Sequence, residues 1–293
     1  MKTQFVTAIY SNLHGTIFGG RPSRYWHYRY SLLSLLKMIS ADFICYTAEE
    51  EIDDLKDFFY EKNLISQDRL KFKIFNLQNS QFQNLIVKYK NEEEVKKSMR
   101  CCELQYLKFH WISNLNKNYT HTYWIDAGLS HCGLFPNKFL DKNLQDVTRS
   151  YYECSIFTET FLQKLNSFTK DKIFAIGRNN EQQFERFVPE KFFKNKYPKY
   201  HIIGGIFGGK IELISHLVNL FNEYCNEIIE DGNILYFEEQ ILTAVWANNQ
   251  ENFKLNSFDT WWHENSGING ITDDPIYFQK NKSFYKIFEE LLN

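Results

Sequence analysis

Carboxylates, paired glycines and adjacent tryptophans fall in a few short segments of the chain, and these are the residues whose types can do chemistry. In Trp124 to His131 (WIDAGLSH) an apolar run ends in Asp126, followed by the small residues Ala127 and Gly128. Small residues let the backbone turn sharply and leave the carboxylate pointing into a crevice. There it can either cap its own turn or hold a hard divalent cation that bridges a diphosphate. In Ile202 to Lys210 (IIGGIFGGK) two glycine pairs flank a short apolar run. They either admit a ligand close to the backbone at Gly204 and Gly205 or serve tight strand-to-helix packing. The spacing is neither a Walker loop nor a dinucleotide fingerprint. In Phe237 to Trp246 (FEEQILTAVW) Glu238 and Glu239 open an apolar helical pattern. Acids at a helix start commonly serve the helix dipole, but one facing a sugar's reacting carbon can act as base, nucleophile or electrostatic stabiliser. In Phe258 to Glu264 (FDTWWHE) Trp261 and Trp262 offer faces suited to sugar C–H surfaces, and His263 can reach a metal or diphosphate or pack between the indoles.

Cations form a further group: Arg21, Arg24 and Arg29 near the chain start, and Lys96, Lys97 and Arg100 further on. Guanidinium forks match phosphate oxygens. Arg24 and Arg29 are the stronger candidates because their segment follows the loop after the first strand.

The elements that must position these groups are legible in outline. Phe5–Tyr10, Asp42–Thr47 and Arg69–Phe75 read as strands, with helical patterns over Tyr25–Met38 and Glu49–Lys62 between them. A long helix over Glu92–Asn114 leads to a strand over Thr122–Ile125 that stops at Asp126. Thr158–Asn166 reads as a helix, Lys172–Ile176 as a short strand, Arg178–Gln183 as a polar loop, and His201–Phe207 as a strand ending at Gly208. Helices over Ile211–Ile229 and Glu238–Asn248 follow. Alternating strands and helices predict a doubly wound α/β sheet, with ligand groups at the carboxyl ends of strands. No repeat or Ser/Pro-rich linker divides the chain. The expectation is one domain over residues 1–293, in two halves (1–135 and 136–293), the second more elaborated.

Composition narrows the partners. The 293 residues suffice for a sizeable core without disulfides. A formal charge of −2 excludes a mainly nucleic-acid-binding protein, which needs a basic face. The six cysteines include no C-x-x-C pair and suit a reducing compartment. No stretch approaches the roughly 18 apolar residues of a membrane span. The expectation is therefore a cytoplasmic protein, with peripheral contact at the inner membrane face left open.

The order of these features is more specific than any one of them. The TAIY-type first strand, the strand ending in Asp-x-Gly, the GGxFGG strand and the Glu-Glu helix resemble GT-A glycosyltransferases. Trp124 to Pro136 (WIDAGLSHCGLFP), with the upstream Arg and Tyr residues and the late Trp-Trp-His, resembles the bacterial HtrL/YibB family. That resemblance implies a GT-A-like fold, with a central mostly parallel sheet flanked by helices, and a role in surface polysaccharide or lipopolysaccharide assembly. It implies transfer of a hexose from a nucleotide diphosphate sugar, such as a UDP-sugar, to a glycan or glycolipid hydroxyl. Thr7, Ala8 and Tyr10 would line the base and ribose. Asp126, Ala127 and Gly128, with Arg24 or Arg29, would meet the diphosphate, and Gly204 and Gly205 the donor sugar. Glu239, with Glu238 as second choice, would face the anomeric carbon, and Trp261 and Trp262 would shape the acceptor side. A Mn²⁺ or Mg²⁺ ion would sit at Asp126. Gly128 replaces the usual second acid, so either His131 or His263 would supply another ligand or the metal dependence would be weak. Two other readings stay open: a sugar nucleotidyltransferase, for which Gly15, Gly19, Gly20 and Arg21 would form the phosphate loop, and a carbohydrate-binding protein with a degenerate donor site.

Overall fold

A computed structural model describes residues 2–11, 25–77, 102–114, 118–127, 159–179, 192–193, 198–231 and 238–258. Among these residues the strands are β1 (Thr3–Ala8), β2 (Asp42–Thr47), β3 (Leu70–Ile74), β4 (His121–Ile125), β5 (Ile173–Asn179), β6 (Tyr200–Lys210) and β7 (Phe253–Phe258). The helices are α1 (Tyr25–Met38), α2 (Ile52–Lys56), α3 (Cys102–Ser113), α4 (Glu159–Phe168), α5 (Ile211–Glu230) and α6 (Glu238–Asn248). The seven strands form one sheet in the order β3-β2-β1-β4-β6-β5-β7. All neighbours run parallel except at β6, which is antiparallel to both β4 and β5. The mostly parallel sheet flanked by helices expected from the sequence is therefore present, and strands from both halves of the chain build it.

Side chains alternate across the pleat, so the five strands inside the sheet feed two cores. Val6, Trp124, Ala175 and Phe207 pack on one face with Tyr106, Trp111 and Ile112 of α3, Phe221 of α5 and Leu242 of α6. Phe5, Tyr123, Phe174 and Ile206 pack on the other with Leu32 and Leu36 of α1, Leu55 of α2 and Leu165 of α4. The first core is rich in ring stacking: Phe109 lies against Phe207 and Phe221, and Trp111 against Tyr10, Tyr46 and Trp124.

Local differences from the sequence pattern have physical reasons. The helix expected over Glu49–Lys62 is a 3-10 turn (Glu49–Glu51), then α2, then a π-helical stretch (Asp57–Lys62). Its wider last turn turns both Phe58 and Phe59 inward. The short strand Lys172–Ile176 instead continues to Asn179, taking in part of the expected polar loop, because Arg178 and Asn179 pair with His201 and Tyr200. Likewise β6 does not stop at Gly208. It runs to Lys210, with Gly208 opposite Tyr123 of β4. A Cβ on Gly208 would lie 2.4 Å from the Thr122 carbonyl oxygen and 2.5 Å from the Tyr123 Cα, so this crossing needs a residue without a side chain. Strand β7 had no expected counterpart. It pairs in parallel with β5 at the sheet edge.

Candidate active site

Asp126 stands one residue beyond the end of β4, as the sequence predicts, and its backbone N–H donates to the Gly205 carbonyl at 2.8 Å. What it faces is decided by β6. Between the pairs Ala175–Phe207 and Ile176–Ile203, the residues Gly204, Gly205 and Ile206 bulge out of the β5 ladder. A bulge frees backbone groups and re-aims its neighbours, and bulges concentrate near functional sites. Here the freed groups of Gly204 are taken by side chains. Its N–H donates to Glu239 Oε1 at 2.8 Å, and its carbonyl accepts from Lys108 Nζ at 3.1 Å.

Lys108 comes from α3, on the face that packs against β1 and β4. Its ammonium also donates to Glu238 Oε1 at 2.8 Å and lies 3.3 Å from Asp126 Oδ1. Two oxygens thus accept hydrogen bonds from it, and a third, on Asp126, pairs with its charge. Burial by itself would lower the lysine's pKa, but Asp126 and Glu238 outweigh it and hold the group above its ordinary range. Trp124 Nε1 donates to the same Asp126 oxygen at 2.7 Å.

The carboxylates differ in environment. Glu238 is 1% exposed, and burial pushes its pKa up to about 7; Lys108 opposes the rise and Glu239 adds to it. Burial of its packed edge raises Asp126 as well, against the pull of Lys108 and Trp124. Yet 43% of the Asp126 side chain and 31% of that of Glu239 remain exposed. Glu239 is steadied on its other oxygen by His201 Nε2 at 3.0 Å. Thr243, one turn further along α6, donates to the Glu239 carbonyl and accepts from the Ile202 N–H, tying α6 to β6.

The structure therefore brings together Asp126, Gly204, Gly205, Glu238 and Glu239, all singled out by the sequence. Lys108 and His201 join them unannounced. A lysine inside the apolar run Tyr106–Ile112 was the available signal for the first, since a buried lysine needs acidic partners. The room expected at Gly204 for a ligand is filled by the protein itself: a Cβ there would meet Glu238 Oε1 at 2.5 Å and Lys108 Nζ at 3.2 Å.

Other expected site residues have different surroundings. Thr7 is fully buried in β1, and Ala127 is buried beside Asp126. Tyr10 is buried against Trp111 and donates to the Phe75 carbonyl at 2.9 Å. Ala8 is half-buried at the end of β1. Nearby, the Glu51 carboxylate accepts from the Ser11 N–H and hydroxyl and from the Thr47 hydroxyl, which joins the carboxyl ends of β1 and β2. Arg29 is 1% exposed, paired with Asp54 at 2.5 Å and seated over the Phe58 ring. Its guanidinium thus joins α1 to the α2 segment. Arg24, Gly128, His131, Trp261, Trp262 and His263 lie outside the described residues.

Among the described residues no three His, Cys, Asp or Glu side chains are grouped to hold a metal ion. The Oδ1 atom of Asp126 is held by an ammonium and an indole N–H, and both Glu239 oxygens accept hydrogen bonds. These donors alone do not fit a divalent cation. What they do form is a pair of part-exposed carboxylates held in fixed positions beside one buried cation, an arrangement chemically able to stabilise developing positive charge.

No protein-family model matches the chain, and no curated protein matches it by sequence. Solved structures share its architecture. The apo form of mouse xyloside xylosyltransferase 1 aligns with a TM-score of 0.50 at 13% identity, over 95% of this chain and 94% of that one. An active-site glutamine-to-glutamate mutant of LgtC aligns with a TM-score of 0.52 at 9% identity, over 99% and 95%. At such identities the likeness shows the fold, and that fold is the GT-A glycosyltransferase type. No described helix is long and apolar enough to cross a membrane.

Proposed function

We propose that the chain is a glycosyltransferase that moves a hexose from a nucleotide diphosphate sugar, a UDP-sugar in the first instance, to a hydroxyl of a bacterial surface glycan or glycolipid. The observation that carries this reading is the meeting of Asp126, at the carboxyl end of β4, with Glu238 and Glu239 across the Gly204 bulge on a GT-A sheet. Carboxyl ends of parallel strands are where such sheets bind ligands. The surface-glycan acceptor rests on the resemblance to the HtrL/YibB family. In this reading Asp126 borders the diphosphate and donor sugar. Glu239, open to the cleft with both oxygens pinned, faces the anomeric carbon and stabilises the charge that builds there. Trp261 and Trp262 stack on the acceptor. A Mn²⁺ or Mg²⁺ ion at Asp126 requires ligands from beyond the described residues, His131 and His263 being the sequence's candidates.

Thermal unfolding in a panel of nucleotide diphosphates and their sugars, with and without Mn²⁺, tests the donor site. A ligand at 100 times its Kd stabilises by about 2.7 kcal/mol. A rise in Tm with one nucleotide family is expected, and no shift with any of them would remove the reading. In a turnover assay with the donor so found, Glu239→Gln is expected to lose at least ~100-fold in kcat. Full activity would remove Glu239 from its role.

A further inference from the structure

Glu239 is useful at a reacting carbon only if its carboxylate keeps one orientation, and two donors on β6 hold its two oxygens. The Gly204 N–H, freed by the β6 bulge, fixes Oε1 at 2.8 Å. His201 Nε2 meets Oε2 at 3.0 Å from the start of the same strand. Since a carboxylate only accepts, Nε2 must carry the proton of this bond. The imidazole is 8% exposed, so it is packed in place, whereas the Glu239 side chain is 31% exposed. The backbone beneath is fixed as well. Thr243 joins the Ile202 N–H to the Glu239 carbonyl, so α6 cannot slide along β6 without breaking this pairing.

We infer that His201 is a positioning residue for Glu239, locking the carboxylate plane so that one edge faces the donor sugar. This rests on the proposed role of Glu239. His201 is buried and meets the Glu239 carboxylate directly, so loss of this bond is expected to affect the transition state more than ground-state binding.

The test compares His201→Phe, which keeps a packed ring and removes the donor, with His201→Gln, whose amide N–H can stand near the Nε2 position. Each is made alone and together with Glu239→Gln, in the full-length chain, and assayed with the nucleotide sugar identified by the thermal panel. His201→Phe is expected to lower kcat ~10–100-fold, as loss of an orienting partner commonly does, while donor KM stays within about 3-fold. His201→Gln is expected to recover most of that loss. On the Glu239→Gln background His201→Phe is expected to add almost nothing, because both act through one carboxylate. Unfolding curves of all variants show whether each is folded. If His201→Phe is folded and fully active while Glu239→Gln is not, the positioning role is wrong and the proposed function stands. Equal losses in the Phe and Gln variants would assign His201 to packing and overturn the inference too. If Glu239→Gln itself is fully active, the proposed role of Glu239 falls, and the inference with it.

Discussion

Removing the Lys108 ammonium is the most demanding check on the site as described. In Lys108→Met a side chain of similar length stays in the same packing, but Glu238 Oε1, the Gly204 carbonyl and Asp126 Oδ1 lose their common partner. Breaking a buried ion pair by deleting one member costs about 3–5 kcal/mol, a large share of a domain's ~5–15 kcal/mol. The deficit must depend on pH. The Glu238 pKa is already raised from 4.5 to about 7 with Lys108 present, and the variant raises it further. A carboxyl that binds its proton more tightly folded than unfolded adds stability that is full below pH 4.5 and lost as pH climbs through the folded value. At about 1.4 kcal/mol per pH unit, the wild-type rise amounts to a swing of about 3 kcal/mol. In Lys108→Met the loss therefore continues beyond pH 7, so its deficit against wild type is larger at pH 8 than at pH 5.5. Urea unfolding followed by tryptophan fluorescence at the two pH values measures this. Lys108→Met/Glu238→Gln, which removes both charges, is expected to recover more than half of the pH 8 deficit. A deficit under about 1 kcal/mol at both pH values would refute the buried triad.

Three further outcomes follow from the geometry. Gly204→Ala drives a methyl into Glu238 Oε1 and Lys108 Nζ, while Gly208→Ala drives one into the backbone of β4. The first is expected to abolish turnover with a loss of about 1–3 kcal/mol, and the second to prevent folding or lower Tm much further, both read by circular dichroism melts. Trp124→Phe keeps the ring packing but deletes the 2.7 Å bond to Asp126; a kcat or donor-affinity loss of ~10-fold is expected with Tm little changed, because the removed donor steadies a half-exposed carboxylate. Arg29→Met separates two roles for that residue. Its pairing with Asp54 and seat on Phe58 predict a loss of ~2 kcal/mol in urea unfolding with donor affinity unchanged; a selective loss of nucleotide binding would return Arg29 to the donor site.

Much of the scaffold can be read along the chain because it is written in local periodicity. The spans of α1 and β2, and the start of α6 at Glu238-Glu239, follow from apolar spacing and acidic helix starts, and the structure places them where the pattern does. Asp126 likewise follows a buried strand whose end is visible in the sequence. Antiparallel β6 and the edge strand β7 are different. Strand direction depends on which neighbour a segment meets, and the brief apolar–polar alternation over Phe253–Asn256 does not say which strand it joins.

The sequence by itself determined which carboxylates and glycines are available and in what order they arrive. Only the tertiary structure decided their company. It set Lys108, a cation inside an apolar run, between Glu238 and Asp126, which stand 112 residues apart along the chain (126 to 238). It used the Gly204 gap for the protein's own side chains and committed Arg29 to Asp54. The reason is physical: a buried charge is tolerable only with partners, and those partners are chosen by the packing of distant elements that no local pattern records.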